Sequence, residues 1–158
     1  MSLPEIVSAD VVLLFWSFGS EVDTRPAIDR VVSAGKQIGL PRIAGGDIEP
    51  RSWQEGEPLE AASFGAMEPV NGRRLEASEI DAVVTPGVAF DLGGYRVGYG
   101  AGFYDRLFAT LDRDVSRVAI GFELQVVAGS LPRASFDLPV DVLVTQDRVV
   151  RFGAGPEA

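Results

Sequence analysis

The sequence predicts an α/β fold: a three-layer, open and mostly parallel sheet with helices on both faces. Three observations lead there. Residues 9–16, 37–43, 82–84, 118–121 and 142–144 form short, near-continuous apolar runs, the pattern of strands covered on both faces. Between the first two runs, Ile28, Val31 and Val32 recur at helical spacing, which makes a βαβ unit. The third run is followed by a glycine-rich stretch and then by a second helical pattern, Phe103, Leu107, Phe108 and Leu111, so the local order is strand, loop, helix.

Each element has a local reason. Residues 9–16 have the length and character of a central strand, followed by a polar loop over 17–23. Asp23 or Thr24 can cap the helix that Gly35 ends. From 45 to 71 prolines and glycines separate short pieces such as 51–54, which read as hairpin-like strands at the periphery, with Glu49, Glu55, Glu57 and Glu60 as a solvated face. Residues 79–81 lead into the strand that feeds the glycine stretch. Residues 121–127 read as a short helical start, and 149–152 as an edge strand beside 142–144.

At 158 residues the chain suits one domain, 1–158, burying roughly 70% of its unfolded surface. No apolar run approaches a membrane span and no secretion signal opens the sequence, so the expected compartment is the cytoplasm. Cysteine and histidine are both absent, which removes disulfides, thiol nucleophiles, imidazole bases and Cys/His zinc sites. Carboxylates, arginines, tyrosines and backbone amides remain, an inventory suited to phosphoryl transfer, which relies on positioning and charge neutralisation. A formal charge of −9 argues against a nucleic-acid surface. Oligomeric state is not legible.

The chemistry is expected in residues 86–106. Glycines 98, 100 and 102 let successive backbone N–H groups face a ligand, and the following helix points its positive dipole end the same way, as a phosphate site requires. A tight βα connection would use the same glycines. Arg96 before them, and Tyr104, Asp105 and Arg106 after them, favour the anion reading, with Arg96 and Arg106 as local positive charge. Neither the Walker A nor the dinucleotide fingerprint fits.

The string Pro86-Gly-Val-Ala-Phe-Asp-Leu-Gly-Gly-Tyr-Arg-Val-Gly-Tyr-Gly-Ala-Gly-Phe-Tyr-Asp-Arg106 resembles the signature of the 5-formyltetrahydrofolate cyclo-ligase family. Glu21-Val-Asp-Thr24, Gly65-Ala-Met-Glu-Pro69 and Asp137-Leu-Pro-Val-Asp-Val-Leu-Val-Thr145 match further family elements in the same order, so the resemblance covers nearly the whole chain. It implies a Rossmann-like sheet of the CoA-transferase and ribose-phosphate isomerase kind. It also implies ATP-dependent closure of 5-formyltetrahydrofolate to the 5,10-methenyl form through a phosphorylated formyl group.

Residue by residue, the resemblance implies Arg96 and Tyr104 as catalytic residues. Arg96, Val97, Gly98, Tyr99, Gly100, Ala101, Gly102, Phe103 and Tyr104 would form the ATP site. Trp16, Glu21, Tyr99, Gly100, Gly102 and Phe103 would form the folate site, with Glu21 facing the pterin ring. Asp105 and Asp141 would hold Mg²⁺. Core packing is the competing expectation for Trp16 and Tyr104, helix capping for Glu21 and Asp23, helix N-terminal stabilisation for Asp105, and a strand-start acid for Asp141. Gln125 also falls on a family position, without an assignable role.

The sequence departs from the family pattern at several places. Phe136 stands where a His is usual, Ala101 where Gly or Lys is common, and Phe103 where Tyr is frequent. Relatives usually open with a helical segment rich in Lys and Arg that contributes to ATP binding, whereas this sequence starts almost directly at its first strand. A non-catalytic folate- or phosphate-binding module on the same scaffold is the alternative function. A sugar-phosphate or CoA-ester enzyme of similar architecture is a third, for which no further motif is found.

Overall fold

A computed structural model describes residues 3–153. A one-turn helix α1 (Pro4–Val7) precedes strand β1 (Val11–Leu13), helix α2 (Arg25–Ser33) and the hairpin strands β2 (Gln37–Ala44) and β3 (Asp47–Trp53). A small hairpin, β4 (Leu59–Ala61) and β5 (Met67–Pro69), lies outside the main sheet. Strand β6 (Ala82–Thr85) leads to a second small hairpin, β7 (Ala89–Phe90) and β8 (Arg96–Val97), and then to helix α3 (Phe103–Thr110). Strands β9 (Ser116–Ile120), β10 (Val142–Val144) and β11 (Val149–Arg151) complete the chain. Among the described residues no helix is long and apolar enough to cross a membrane.

The main sheet has seven strands in the order β11-β10-β9-β6-β1-β2-β3. Its five inner strands run parallel, and β3 and β11 close the two edges in the antiparallel sense. The expected mostly parallel α/β sheet is therefore present. The near-continuous apolar runs divide cleanly between its faces. Val12, Ala82, Val84, Val118 and Val142 join Ile28 and Val31 of α2 in one core. Their neighbours Leu13, Val83, Ala119 and Leu143 join Leu107 and Phe108 of α3 in the other. Alternation with a period of two thus persists inside runs that are apolar on both sides.

β1 pairs with β2 on one side and with β6 on the other. This is the topological switch point, and the crevice beyond the carboxyl ends of these strands is where open α/β sheets bind ligands.

β1 ends earlier than the run 9–16 predicts. The Leu14 N–H still reaches the Gly39 carbonyl at 3.0 Å, but the Phe15 carbonyl is taken by the Thr24 hydroxyl at 2.6 Å, and the chain leaves the sheet there. Thr24 is fully buried, accepts from the Ser17 N–H at 3.0 Å, and donates its own N–H to the Ser17 hydroxyl oxygen at 3.1 Å. Thr24 is the N-cap residue of α2 by position, yet its side chain does not cap the helix, because its hydroxyl is committed to the loop behind it. Asp23 instead pairs with Arg25 at 2.8 Å on the surface.

Thr24→Val keeps the shape and leaves the Phe15 carbonyl and Ser17 N–H unsatisfied. It is expected to cost about 2–3 kcal/mol of stability, read from urea unfolding, with the slope of the transition unchanged.

Candidate active site

Two loops leave the carboxyl edge on either side of the switch point, one after β1 and one after β6. The second carries the glycine stretch, which forms one wall of a cleft of about 420 Å³; Arg96, Tyr104, Asp105, Phe136 and Asp137 line it as well. Gly100 (φ +93°) and Gly102 (φ +67°) lie in the left-handed region that side chains resist, and Gly102 is the residue from which α3 starts. A Cβ at 102 would also stand 3.1 Å from Arg106 Nη1. This turn brings the free N–H groups of the first turn of α3 to the end of the loop. Between β6 and the glycines the structure inserts the β7–β8 hairpin, so the strand, loop, helix order holds with one extra element.

Arg96 and Arg106 do different work. Arg106 donates to Asp47 at 2.7 Å, to the Gly46 carbonyl at 2.7 Å and to the Ala101 carbonyl at 2.6 Å. It ties the glycine loop to the β2–β3 turn rather than offering charge to a ligand. The Arg96 guanidinium lies 5.1 Å from the Tyr104 ring centre and 5.6 Å from that of Phe108, and its Nε is buried without a hydrogen-bond partner. Burial lowers its proton affinity, and the carboxylates of Asp105 and Asp137 oppose that effect. Guanidinium groups remain protonated under such shifts, so Arg96 is a fixed positive charge in the cleft wall. Burial also pushes the Tyr104 phenol upward, which keeps it a neutral donor.

The two aspartates expected to share a metal are separated. Asp105 lines the cleft, with Oδ1 accepting from the Leu138 N–H at 3.1 Å. Asp141 does not line it. It stands at the amino end of β10, where Oδ2 accepts from the Arg117 N–H at 2.8 Å, the strand-start role. Asp137, four residues earlier, lies in the cleft with Oδ2 accepting from the Ala134 N–H at 2.7 Å. The structure thus places Asp105 together with Asp137 along the cleft and Asp141 at the amino edge of the sheet. A buried orphan guanidinium nitrogen, a glycine loop and two carboxylates form a donor set that suits a triphosphate with a hard cation.

The loop after β1 brings Glu21 to the same place. Its Oε2 accepts from the Phe18 N–H at 2.9 Å, and its Oε1 accepts from the Tyr99 hydroxyl at 3.3 Å. The Phe18 and Tyr99 rings lie 6.1 Å apart. Segments 78 residues apart thus meet across the switch point. Trp16, the other residue expected from this segment, packs edge-on against Trp53 at 5.9 Å and joins the α2-side core, its packing alternative, away from the cleft. Val97, Gly98, Tyr99, Gly100, Ala101, Gly102 and Phe103 all border the cleft.

Two supports were not assigned from sequence. Gln125 accepts from the Phe122 N–H at 2.7 Å and donates to the Gly87 and Val88 carbonyls, each at 3.0 Å, fixing the wall formed by Pro86 and Gly87. Asp91 is buried. Burial alone would raise its pKa, but the Leu131, Tyr95 and Gly93 N–H groups bring it below the ordinary carboxylate range, with the Arg133 charge adding to them. Its only sequence signal is the turn string Asp-Leu-Gly-Gly. A larger apolar groove of about 650 Å³ runs between α2 and the sheet, bordered by Val22, Val84, Ile120 and Val144. Its lining is mostly apolar, with Asp23, Arg30, Lys36, Thr145 and Gln146 also bordering it.

Fold and cleft together define a class: an open α/β protein with a glycine-rich loop, an arginine with a buried, unpartnered nitrogen and two carboxylates lining one cleft beside the sheet's switch point. The model of the 5-formyltetrahydrofolate cyclo-ligase family matches residues 1–146, and the chain belongs to that family of ligases. The chain is 33% identical over 155 residues to 5-formyltetrahydrofolate cyclo-ligase of Escherichia coli, covering 94% of this chain and 85% of that protein. It is 30% identical over 156 residues to that of Haemophilus influenzae, covering 91% and 80%. The structure of 5,10-methenyltetrahydrofolate synthetase from Aquifex aeolicus superposes with a TM-score of 0.84 at 38% identity, over 99% of this chain and 79% of that one. The Mycoplasma pneumoniae synthetase shares the fold, with a TM-score of 0.70 at 20% identity over 89% of this chain and 76% of that one.

Burial raises the Glu21 carboxyl above its ordinary range, against the hydrogen bonds from Phe18 and Tyr99. Between the unfolded and the raised folded value, the folded chain holds the proton more tightly. Stability therefore falls as pH rises through that window, and the full cost stands above it. Glu21→Gln is expected to melt ~1–3 °C higher than the wild type near neutral pH and to converge with it below about pH 4; equal differences at both pH values would contradict this origin.

Proposed function

We propose that this chain closes 5-formyltetrahydrofolate to 5,10-methenyltetrahydrofolate with ATP, releasing ADP and phosphate. The observation that carries the reading is the convergence of the glycine loop, Arg96, Asp105 and Asp137 in one cleft, beside a Glu21 carboxylate delivered from across the switch point.

A formamide oxygen is a poor leaving group. Transfer of the γ-phosphoryl group to it breaks the bond to ADP and leaves an iminium-type carbon that N10 attacks. The C–O bond then breaks, phosphate departs and the N10 proton is lost. Catalysis of this sequence asks for positioning and for charge stabilisation as it spreads over phosphoryl oxygens. The amides of 98–102 and the first turn of α3 supply donors, Arg96 supplies a fixed charge whose Nε still lacks a partner, and Tyr104 supplies a neutral hydroxyl. Asp105 and Asp137 would hold Mg²⁺, which when bound neutralises part of the triphosphate charge. Glu21 would accept from the donor edge of the pterin, with Phe18 and Tyr99 beside it. Burial in this site has raised the proton affinity of Glu21, and a bound ring with two N–H donors would offset the cost of its charge.

Mixing the protein with 5-formyltetrahydrofolate and Mg-ATP, and following the methenyl chromophore with ADP release, tests the reading; neither signal at micromolar enzyme would overturn it. Asp105→Asn, Asp137→Asn and Arg96→Ala are each expected to lower kcat/KM by about 100-fold. Asp141→Asn, which touches only the Arg117 backbone, is expected to stay within about 3-fold of the wild type while losing about 1–2 kcal/mol of stability.

A further inference from the structure

Tyr99 belongs to two places at once. It lies inside the anion loop, between Gly98 and Gly100, and its hydroxyl and ring reach the segment after β1, contacting Glu21 Oε1 at 3.3 Å and the Phe18 ring. It is 69% exposed, so no core packing accounts for this reach. Around Gly100, directly after the tyrosine, there is open space, with nothing within 4 Å of where a Cβ would stand, and its φ of +93° is one that side chains resist. The two oxygens of Glu21 differ accordingly. Oε2 is held by the Phe18 N–H within its own turn at 2.9 Å, whereas Oε1 is held only through the glycine loop, by a longer contact.

We infer that Tyr99 is a positioning residue that transmits occupancy of the glycine loop to Glu21, so that nucleotide bound in the loop tightens binding of the folate. The inference rests on the proposed assignment of the loop to ATP and of Glu21 to the pterin. An anion on the loop amides fixes residues 98–102 and with them the tyrosine hydroxyl. The hydroxyl then holds Oε1 in the orientation that Oε2 already has, and the carboxylate meets two parallel ring donors without first having to be ordered. Linkage makes the effect mutual: the folate tightens nucleotide binding by the same factor.

Calorimetric titration of wild type and Tyr99→Phe with 5-formyltetrahydrofolate, alone and with saturating Mg²⁺ and a non-hydrolysable ATP analogue, reads the coupling. The analogue is expected to tighten folate binding ~5-fold in the wild type and less than ~2-fold in Tyr99→Phe. At this exposed position the substitution is expected to leave Tm within ~2 °C, so a lost fold does not imitate lost coupling. Equal tightening in both proteins, or none in the wild type, overturns the role of Tyr99 and leaves the enzymatic reading intact. Failure of the wild type to bind either ligand overturns that reading and the inference with it.

Discussion

Parallel pairing of five inner strands puts all their carboxyl ends on one edge, and the reversal of strand order at β1 and β6 opens that edge between two loops. The rest of the molecule depends on keeping those loops where the sheet puts them. Backbone ladders cannot do this beyond the last paired residue, so buried or half-buried side chains take over. Thr24 holds the first loop through the Phe15 carbonyl and the Ser17 N–H. On the other side Gln125 holds the Gly87 and Val88 carbonyls, Asp91 gathers three backbone N–H groups, and Arg106 bonds to the Ala101 carbonyl. Each is a side chain satisfying backbone groups that would otherwise be left unpaired near the sheet edge.

The electrostatics follow from the same economy. A chain of net charge −9 must receive a polyanion, and its second arginine near the loop, Arg106, is already committed to Asp47 and two carbonyls. The local field therefore rests on Arg96, the loop amides and the end of α3. Placing Arg96 over the neighbouring Tyr104 and Phe108 rings buries its Nε and leaves that nitrogen without a partner. Such a group gains more from an anion than a solvated lysine would, because its desolvation has already occurred in folding. The carboxylates of Asp105 and Asp137 favour that charge.

The sheet was legible because its information is local. Runs such as 82–84 and 142–144 carry their own burial pattern, and Gly35 ends α2 with a positive φ as a helix terminator should. The glycine loop was legible for the same reason. What sequence could not supply were contacts whose partners lie far along the chain: Arg106 with Asp47 across 59 residues, Gln125 with Gly87 across 38, Glu21 with Tyr99 across 78. Asp141 lies away from the cleft for a topological reason. An acid directly before a parallel strand lies at the amino edge, opposite the carboxyl edge. Asp81 before β6 accepts from the Asp10 and Val11 N–H groups, and Asp141 before β10 accepts from Arg117 in the same way. Asp137 escapes this because Leu138 and Pro139 keep it in the connection, within reach of the start of α3.

The departures from the family's polar pattern have a common location. Phe103 lies with its ring 5.4 Å from the Arg106 guanidinium, on the side that anchors the loop, and Ala101 contributes its carbonyl to that same arginine. At both positions the backbone and the anchoring contact matter more than a side-chain hydroxyl or ammonium would. Phe136 is different: it borders the cleft at 66% exposure, next to Asp137. Singly exposed apolar side chains are ordinary on protein surfaces, and here the ring adds apolar area to the border of the cleft. Phe136 thus brings no polar group to this part of the cleft border, where Asp137 beside it supplies the charge.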